Sequence, residues 1–374
     1  MIVLGGHVQA LGIIRIFGEA GIHSIVIDKT ARNIARHSRY CIGFIKVKDD
    51  QLFSYLIEIG AKGSFKGWHI FPTNDFHLKI LSQNKKQLSE YFNVAVDEWS
   101  VVKGFFNKKE SYQMVSELDI PIPFTSMPKN ESDVQAFNGP FPCIIKPAVM
   151  HTFYAFTKKK VFFCKNKNEL IKYYELAKSY IPSDEILIQE IIPGLSDNQF
   201  SVCFLSIKGK PVISLIACRM RQHPLDFGNA TTYAETMENP EILEYGTRIL
   251  EKTIFTGVCE IEFKKDVRDN KYKFLEVNPR TWKWHQIGAL SDSPFLISYY
   301  KYLNGETPEM KTSFKTVSFR HTLTDVYVQM LMIFKGISLW RRNIKPQVNA
   351  VWDKSDVKPW FFEKLYFIDL VRTR

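Results

Sequence analysis

Short apolar runs alternate with longer amphipathic stretches through the first hundred residues, and this alternation constrains the fold more than any other feature. Apolar residues in the longer stretches recur at helical spacing, whereas the short runs have the length of strands. A helix between two strands returns the chain to the same edge of the sheet, so successive strands pair in parallel. The sequence therefore predicts a parallel, doubly wound, Rossmann-like α/β domain over residues 1–100, with Asp75 as the N-cap of its last helix.

The first predicted strand is followed by a glycine turn, Gly5-Gly6-His7, with Gly12 in the next helix and Asp28 at the end of the second strand. Dinucleotide-binding turns also carry glycines here, because their backbone approaches a pyrophosphate, but their spacing is G-x-G-x-x-G. The spacing in this chain is different. We therefore favour a substrate-side loop at a helix N-terminus over a site for NAD or FAD.

The chain has 374 residues and a formal charge of +11 at pH 7. This excess favours anionic partners such as nucleotides, phosphosugars, nucleic acid or an anionic membrane, although a plain solvated surface explains it equally well. Its six scattered cysteines form no C-x-x-C pair, so no zinc site or disulfide framework is indicated, and reduced thiols predict a cytoplasmic protein. The chain begins without the pattern of a signal peptide, and it has no apolar run of about 18 residues that could span a bilayer.

From residue 105 onward the pattern predicts an α+β arrangement. A helix, NKKESYQMVSELD, ends before the prolines of IPIPFT. Further helices are predicted at KNELIKYYELAKSY and PEILEYGTRILEKT. Strands are predicted at FPCIIKPA, KKKVFFCK, EILIQEII, NQFSVCFLSIK, KPVISLIACRM, CEIEFKKDV and KYKFLEVN.

The last of these strands carries an unusual set of polar side chains. Strand side chains alternate between the two faces, so Glu276 and Asn278 share one face, and Arg280 follows directly after Pro279. The flanking residues are apolar and indicate burial, and a buried carboxylate needs a partner. The alternative is a solvated carboxylate on an edge strand.

Taken in order, Lys108, Lys146, the strand ILIQEIIPG, the strand CEIEF and the motif E-x-N-P-R resemble the ATP-grasp superfamily over residues 100 to 305. Within it, RMRQHPLDFG and VLGGHVQALGIIR look most like the carboxylate–amine ligase group, akin to the grasp domain of the carbamoyl-phosphate synthase large chain and to amino-acid ligases such as D-aspartate ligases. The resemblance implies a pre-grasp domain at residues 1–100, a small lid-like grasp subdomain at 101–184, a catalytic subdomain at 185–310 and a C-terminal extension at 311–374.

The same resemblance implies ATP and Mg²⁺ as cofactors, with Mn²⁺ as an alternative metal, because carboxylate and amide oxygens suit a hard cation. The implied metal ligands are Glu262, Glu276 and Asn278, with Glu260 as second choice for the first position. The implied catalytic residues are Arg280, Arg219 and Arg221, which would hold the transferring phosphoryl group or the substrate carboxylate. Arg219 and Arg221 are spaced to face one side of a strand together, where a solvated basic face is the alternative.

The nucleotide is implied to contact six residues. Lys108 and Lys146 would grip phosphates, with Lys109 as an alternative to Lys108. Main-chain groups of Glu190 and Ile192 would hold the adenine, with Gln189 beside its amino group. Asp197 is implied for the ribose, with Gln199 as runner-up.

One stretch departs from the family pattern. Many members cover the phosphates with a glycine-rich loop after the lysine strand, but PAVMHTFYAFTKKK contains no glycine. We expect a loop here that uses side chains such as Thr152, Thr157 or Lys158.

The function implied is an ATP-dependent ligase that activates a carboxylate as an acyl phosphate and joins it to an amine, with ATP between the two grasp subdomains. A kinase-like enzyme and a non-catalytic nucleotide-binding protein of envelope assembly are the alternatives. We expect small-molecule partners and no nucleic acid, and a homodimer stays open. The segment VYVQMLMIFKGISLWRRNIK predicts a helix packed on the catalytic domain, or alternatively one that contacts the inner face of an anionic membrane.

Overall fold

The computed structural model describes residues 1–157, 159–225, 228, 230–338 and 347–372. Two compact units divide the chain, one formed by residues 1–99, 195–260 and 278–374, the other by residues 100–194 and 261–277. We call them the large unit and the small unit. The four predicted domain segments follow the chain in sequence and remain a prediction.

The elements of the first hundred residues are β1 (Ile2–Leu4), α1 (Val8–Glu19), β2 (Ser24–Asp28), β3 (Cys41–Lys46), α2 (Leu52–Ala61), β4 (His69–Pro72), α3 (Asp75–Gln83), α4 (Lys85–Leu88) and β5 (Asn93–Val94). The middle of the chain forms α5 (Trp99–Phe106), α6 (Lys108–Glu117), β6 (Thr125–Ser126), α7 (Glu131–Gln135), β7 (Cys143–Pro147), α8 (Met150–Thr157), β8 (Phe162–Cys164), α9 (Lys167–Lys178) and β9 (Ile186–Glu190). The remainder forms β10 (Gln199–Ile207), β11 (Lys210–His223), β12 (Ala230–Thr236), α10 (Pro240–Thr253), β13 (Gly257–Lys265), β14 (Tyr272–Asn278), α11 (Ile287–Leu290), α12 (Phe295–Leu303), β15 (Ser318–Arg320), α13 (Thr322–Phe334), β16 (Val348–Asn349) and α14 (Lys358–Arg372).

The N-terminal sheet of the large unit has the strand order β3-β2-β1-β4-β5, and every pair in it is parallel. The fold class predicted from the strand–helix alternation is therefore confirmed. Helix α1 packs closely on the segment after β14, since a Cβ on Gly12 would lie 2.6 Å from the Gln286 side chain and 2.8 Å from that of His285. Gly12 thus serves packing, which explains a glycine at this position without any dinucleotide.

The predicted N-cap of α3 is wrong by one residue. The side chain of Asn74 caps the helix by accepting a hydrogen bond from the backbone N–H of His77, and Asp75 is the first helical residue. This helix ends at Gln83, and a separate short helix, α4, follows. Because Asp75 does not cap the helix, its carboxylate is available for a contact that is described below.

The second sheet has the order β14-β13-β10-β11-β12-β15-β16. Strands β10, β11 and β12 pair antiparallel in the large unit, and β12 was not predicted from the sequence. The C-terminal segment, in which only a helix was predicted, adds β15 antiparallel to β12 and β16 parallel to β15. These strands pair with partners that are distant in the sequence, so the local sequence pattern could not reveal the pairing.

Helix α13 packs on the large unit through Asp325, Val328 and Met332, which are buried, so the predicted packed helix is confirmed. Its other face is exposed and apolar, with Val326, Tyr327, Met330, Ile333 and Phe334. The basic cluster of the same segment, Arg341, Arg342 and Lys345, lies outside the described residues. No helix in the described part of the chain combines the length and apolarity needed to cross a membrane.

The small unit contains a four-stranded sheet with the order β6-β9-β7-β8, and its pairs are antiparallel. Helix α9 covers this sheet, and Leu170, Tyr174 and Ala177 from it join the buried core. The glycine-free stretch after β7 was predicted to be a loop, and that prediction is wrong, because residues 150–157 form α8. The stretch has no glycine or internal proline to interrupt a helix, and the helix places the buried Phe153 in the core.

Of the three side chains expected to cover the phosphates, only that of Thr157 belongs to the described part of the chain. The hydroxyl of Thr157 donates to the backbone oxygen of Phe153 and accepts from the N–H of Lys159, so it closes the end of α8. Lys158 and the side chain of Thr152 lie outside the described residues.

Candidate functional site

A buried ammonium group is the central feature of the small unit. Lys146 on β7 is 7% exposed, and its Nζ donates to Tyr112 Oη at 2.8 Å and to Gln189 Oε1 at 2.7 Å. Both acceptors are neutral, and in the described part of the chain no Asp or Glu oxygen lies within 4.0 Å of this Nζ. A lysine ammonium has three N–H donors, so one is left for another acceptor.

The electrostatics of Lys146 are unfavourable in the absence of an anion. Burial is the main cause that lowers the pKa of its ammonium well below the ordinary value of 10.5, the nearby charge of Lys108 lowers it further, and Glu276 opposes both. A buried charge without a counter-charge is costly. Strand β7 holds this charge in place because it is the central strand between β8 and β9. A site of this kind gains free energy when an anionic ligand enters.

Lys108 and Glu276 form an ion pair in the same unit, with Nζ 2.8 Å from Oε2. Lys108 is the first residue of α6, and its backbone N–H donates to the Ala148 oxygen, which places the helix start beside the end of β7. The neighbouring Lys109 donates its Nζ to the backbone oxygen of Asp184 instead. Of the two adjacent lysines, Lys108 is therefore the one that contacts a predicted metal ligand.

The strand predicted to hold adenine, β9, has its side chains engaged. Gln189 uses its amide oxygen on Lys146 and its amide nitrogen on the Thr125 hydroxyl at 2.8 Å. The Glu190 carboxylate accepts from the Phe124 N–H, from Arg268 and from Lys273, and these donors together hold its pKa below the ordinary value against the opposing effect of burial.

The backbone of that strand is partly used as well. The Glu190 N–H donates to the Phe124 oxygen, so this donor is part of the sheet. Ile192 follows the strand and is buried. The assignment of adenine contacts to Glu190 and Ile192 remains a prediction, and the side chain of Gln189 has a structural role that the sequence did not indicate.

A second polar group lies in the large unit, around Glu260 on β13. Its carboxylate accepts from the Ser201 hydroxyl at 2.9 Å and from the Asn278 amide nitrogen at 3.3 Å. A guanidinium nitrogen of Arg219 lies 3.9 Å from the same carboxylate. Glu260 and Arg219 are almost fully buried. The residue ranked second for the metal position thus contacts Asn278.

Glu262, the first choice, is also buried and lies on β13, which neighbours β14 in the sheet, as predicted. Among the described residues no three His, Cys, Asp or Glu side chains converge as a metal-binding group. The predicted set has only two carboxylates and one amide. Its role as a metal site is a prediction.

Arg280 has a partner that sequence reasoning missed. Its Nε lies 2.5 Å from Asp75 Oδ1, and its other nitrogens donate to the Asn278 amide oxygen and to the backbone oxygen of Thr281. Asp75 follows β4 and Arg280 follows β14. The two residues are far apart in the sequence, so only the fold brings them together. The guanidinium is held in one orientation beside Asn278.

Arg221 and Arg219 were predicted to act together, but the structure gives them different partners. Arg221 makes a bidentate pair with Asp325, at 2.7 and 2.9 Å, and Arg219 lies near Glu260. The register of β11 against β12 is irregular between Cys218 and Arg221, which breaks the simple alternation. Asp325 is fully buried and also accepts from Arg320, Thr232 and Gln329.

Asp197, which was predicted to bind the ribose, and His285 both have contacts within the protein. Asp197 lies in a short 3-10 turn after β9, and its backbone oxygen accepts the Cys218 thiol. His285 is buried, its Nδ1 faces the Trp282 oxygen at 2.7 Å, and burial lowers its pKa to about 4. A neutral, enclosed imidazole fits core packing.

The predicted site residues therefore fall into two sets. The small unit holds Lys108, Lys146, Gln189, Glu190, Ile192, Glu262 and Glu276. The large unit holds Arg219, Arg221, Asp197, Asn278 and Arg280. Sequence reasoning missed Tyr112, Asp75 and Asp325, each of which positions one of these residues.

Several proteins of known activity are similar to this chain. No family model matches it. A D-aspartate ligase of Enterococcus faecium (strain Aus0004) is 26% identical over 307 residues, which cover 75% of this chain and 70% of that protein. The N5-carboxyaminoimidazole synthetase of Staphylococcus aureus superposes with a TM-score of 0.67 at 12% identity, covering 89% of this chain and 85% of that one.

Two solved nucleotide complexes show the same fold. An ADP complex of N5-carboxyaminoimidazole ribonucleotide synthetase gives a TM-score of 0.66 at 11% identity and covers all of this chain and 97% of that one. The biotin carboxylase domain of Hydrogenobacter thermophilus 2-oxoglutarate carboxylase, solved with MgADP, ADP and bicarbonate, gives 0.65 at 16% identity, covering 85% of this chain and 72% of that one.

The chain therefore shares the fold of these solved structures. Its similarity to a D-aspartate ligase agrees with the resemblance of the sequence to the carboxylate–amine ligase group of the ATP-grasp superfamily.

Proposed function

We propose that this protein is an ATP-dependent carboxylate–amine ligase that uses Mg-ATP. The observation that carries the proposal is the buried ammonium of Lys146, held by two neutral acceptors with one N–H donor left. A nucleotide phosphate supplies the missing counter-charge and acceptor. The D-aspartate ligase relative supports an amino acid as one substrate.

The residues fit the cofactors by their chemistry. Lys108 and Lys146 would bind phosphate oxygens, and Glu262, Glu276 and Asn278 would offer the oxygen ligands that Mg²⁺ prefers. Bound Mg²⁺ supplies positive charge that neutralises phosphate oxygens. Lys108 Nζ and Glu276 Oε2 lie 2.8 Å apart, so the two charges neutralise each other. Entry of Mg-ATP would give each of them a new partner of opposite charge.

The reaction follows from two displacements. A substrate carboxylate oxygen attacks the γ-phosphorus of ATP, the bond from that phosphorus to the β–γ bridging oxygen breaks, and ADP leaves. An amine nitrogen would then attack the acyl carbon, the carbon–oxygen bond to phosphate would break, and the proton lost by the nitrogen would pass to the released phosphate or to water. Arg280 would hold the carboxylate or the transferring phosphoryl group, since Asp75 and Asn278 already orient its guanidinium. No covalent enzyme intermediate is required.

Arg219 and Arg221 are proposed to add positive charge to the set of site residues in the large unit. The bidentate pair with Asp325 restricts Arg221 to a fixed orientation, so it would act through its field more than through movement. Arg219, beside Glu260, is the better candidate for direct contact with an anion. Asp197 is proposed to bind the ribose.

The experiment that tests the proposal is a hydroxamate assay. The protein is incubated with Mg-ATP, hydroxylamine and a panel of D- and L-amino acids, and both ADP and hydroxamate are measured. An acyl phosphate reacts with hydroxylamine, so a productive acid gives hydroxamate in step with ADP. Glu276→Gln, which keeps the side-chain size and removes the charge, is expected to abolish both signals.

The same assay separates the alternatives. A kinase-like enzyme with a hydroxyl acceptor would release ADP without hydroxamate and without any amine. A non-catalytic nucleotide-binding protein would release no ADP with any acid, and Glu276→Gln would leave its function intact. Peripheral membrane contact, a homodimer and a cytoplasmic location stay predictions.

A further inference from the structure

Tyr112 on α6 lies at the centre of a buried hydrogen-bond chain in the small unit. Its side chain is almost fully buried, its hydroxyl donates to the Leu275 backbone oxygen at 2.9 Å, and it accepts from Lys146 at 2.8 Å. Leu275 immediately precedes Glu276 on β14. One hydroxyl therefore connects the buried lysine of β7 to the strand that carries a proposed metal ligand.

A lysine side chain does not by itself fix the direction of its N–H donors. It is a compact charge on a flexible stem with rotatable donors, unlike the rigid fork of an arginine. Here two neutral acceptors, Tyr112 Oη and Gln189 Oε1, take two of its three donors. The ring of Tyr112 adds a contact, with Nζ 4.6 Å from the ring centroid. The direction of the third N–H is then set by the other two.

We propose that Tyr112 is a positioning residue that directs the remaining N–H of Lys146 to a nucleotide phosphate, with Gln189 as the second support. The inference rests on the proposed function, since it names the residues that prepare Lys146 for the nucleotide. It also gives Gln189 a role different from a contact with adenine.

The neutrality of the two acceptors of Lys146 affects how strongly the site binds an anion. A carboxylate in either position would pair with the ammonium and compete with the phosphate for it. A hydroxyl and an amide fix the geometry but leave the positive charge uncancelled. Gln189 is itself held by Thr125, whose hydroxyl donates to the Pro123 oxygen at 2.8 Å, so the support is anchored to the backbone.

The test compares two tyrosines that are buried in the same unit. Tyr112→Phe removes the hydroxyl on Lys146. Tyr174→Phe is the control, because the Tyr174 side chain is equally buried and its hydroxyl has no hydrogen-bond partner among the described residues. Affinity for Mg-ADP is measured by titration calorimetry on the full chain. We expect Tyr112→Phe to weaken binding about tenfold, as loss of a hydrogen bond to a charged group does, and Tyr174→Phe to change it less than about twofold.

A second variant keeps the inference testable if Tyr112→Phe folds poorly. Gln189→Glu preserves size and an acceptor but adds a negative charge beside Lys146. A merely structural support would tolerate the change or gain stability from it, whereas a support for nucleotide binding predicts weaker Mg-ADP binding by about tenfold with no loss of melting temperature.

A pH profile of Mg-ADP affinity adds a readout that packing alone would not move. The charged groups that face Lys146 are Lys108 from α6 and Glu276 from β14, and both remain in the variant. Loss of the Tyr112 oxygen disfavours the charged ammonium, so the alkaline fall in affinity should begin at lower pH in Tyr112→Phe than in the wild type.

The outcomes are distinguishable. Wild-type affinity in both Tyr112→Phe and Gln189→Glu overturns the inference and leaves the proposed function standing. Failure of the wild-type chain to bind Mg-ADP overturns the proposed function and this inference with it. Weakened binding in both variants, with Tyr174→Phe unchanged, supports the positioning role.

Discussion

Replacement of Lys146 by methionine should separate nucleotide binding from stability. Methionine has a similar length and no charge, so the variant keeps much of the packing and loses the ammonium. The wild-type ammonium has one donor for the phosphate, and a hydrogen bond between charged groups contributes about 1.5–3 kcal/mol. We therefore expect the Kd for Mg-ADP to rise by about 10–150-fold.

Two opposing terms set the change in the free energy of unfolding. Removal of the charge relieves the burial cost that lowers the pKa of Lys146. Gln189 Oε1 loses its donor, and an unsatisfied buried acceptor costs about 1–3 kcal/mol. Because the terms have opposite signs, we expect a net change of less than about 2 kcal/mol.

The pH dependence gives a further check, and its sign can be worked out. The folded-state pKa of Lys146 is lowered, so between that pKa and 10.5 the unfolded chain binds more protons than the folded one. The contribution of this lysine to stability therefore rises with pH in that window. Nucleotide affinity should fall in the same window, since the phosphate binds the charged form. Both dependences should be absent in Lys146→Met.

Titration calorimetry and urea unfolding measure these quantities. The control is Lys172→Met, which makes the same change of net charge at an exposed position of α9 in the same unit. A Kd for Mg-ADP in Lys146→Met within twofold of the wild type would refute the reasoning, because it would show that the buried ammonium does not face the nucleotide.

Asp325→Ala should lower the free energy of unfolding by about 3–5 kcal/mol in urea denaturation, because it strands two guanidinium groups that the buried carboxylate neutralises; a loss below about 1 kcal/mol would contradict this. Gly12→Ala should destabilise by about 1–3 kcal/mol since its Cβ would overlap neighbouring side chains, whereas Gly104→Ala in helix α5, with nothing nearer than 3.9 Å, should stabilise by about 0.5–1 kcal/mol. Glu262→Gln should weaken Mn²⁺ binding in the presence of ADP by at least about tenfold, measured by electron paramagnetic resonance of free Mn²⁺, whereas Glu260→Gln should affect mainly stability. The reverse order would assign the metal to Glu260.

Local patterns predicted most of the elements, and their failures have physical causes. Helices α1, α6 and α9 and the strands around Glu276 follow from hydrophobic periodicity, which depends on the burial of one face. Helix α8 was missed because the family pattern suggested a loop, although the stretch has no glycine or internal proline to break a helix. Strands β15 and β16 were missed because they are only three and two residues long and owe their pairing to a sheet that already exists.

The candidate site divides in the same way. The ordered motifs that resemble the ATP-grasp superfamily predicted roles for Lys108, Lys146 and Glu276. For Glu276 the apolar flanking residues added a physical reason, since a buried carboxylate is costly without a partner. Sequence order could not identify those partners. Tyr112, Asp75 and Asp325 each contact a site residue from a distant part of the chain, and the sequence pattern assigned none of them this role.

The sequence by itself determined the strand–helix alternation and the residue types available for phosphate and metal, because these depend on local spacing and composition. Its ordered motifs also carry the resemblance to the ATP-grasp superfamily. The tertiary structure alone decided which groups neutralise or orient the charges: Tyr112 and Gln189 hold Lys146, Asp75 holds Arg280, and Asp325 holds Arg221. The physical reason is that hydrogen bonds and ion pairs act over a few ångströms in space, whereas a sequence pattern reports only proximity along the chain.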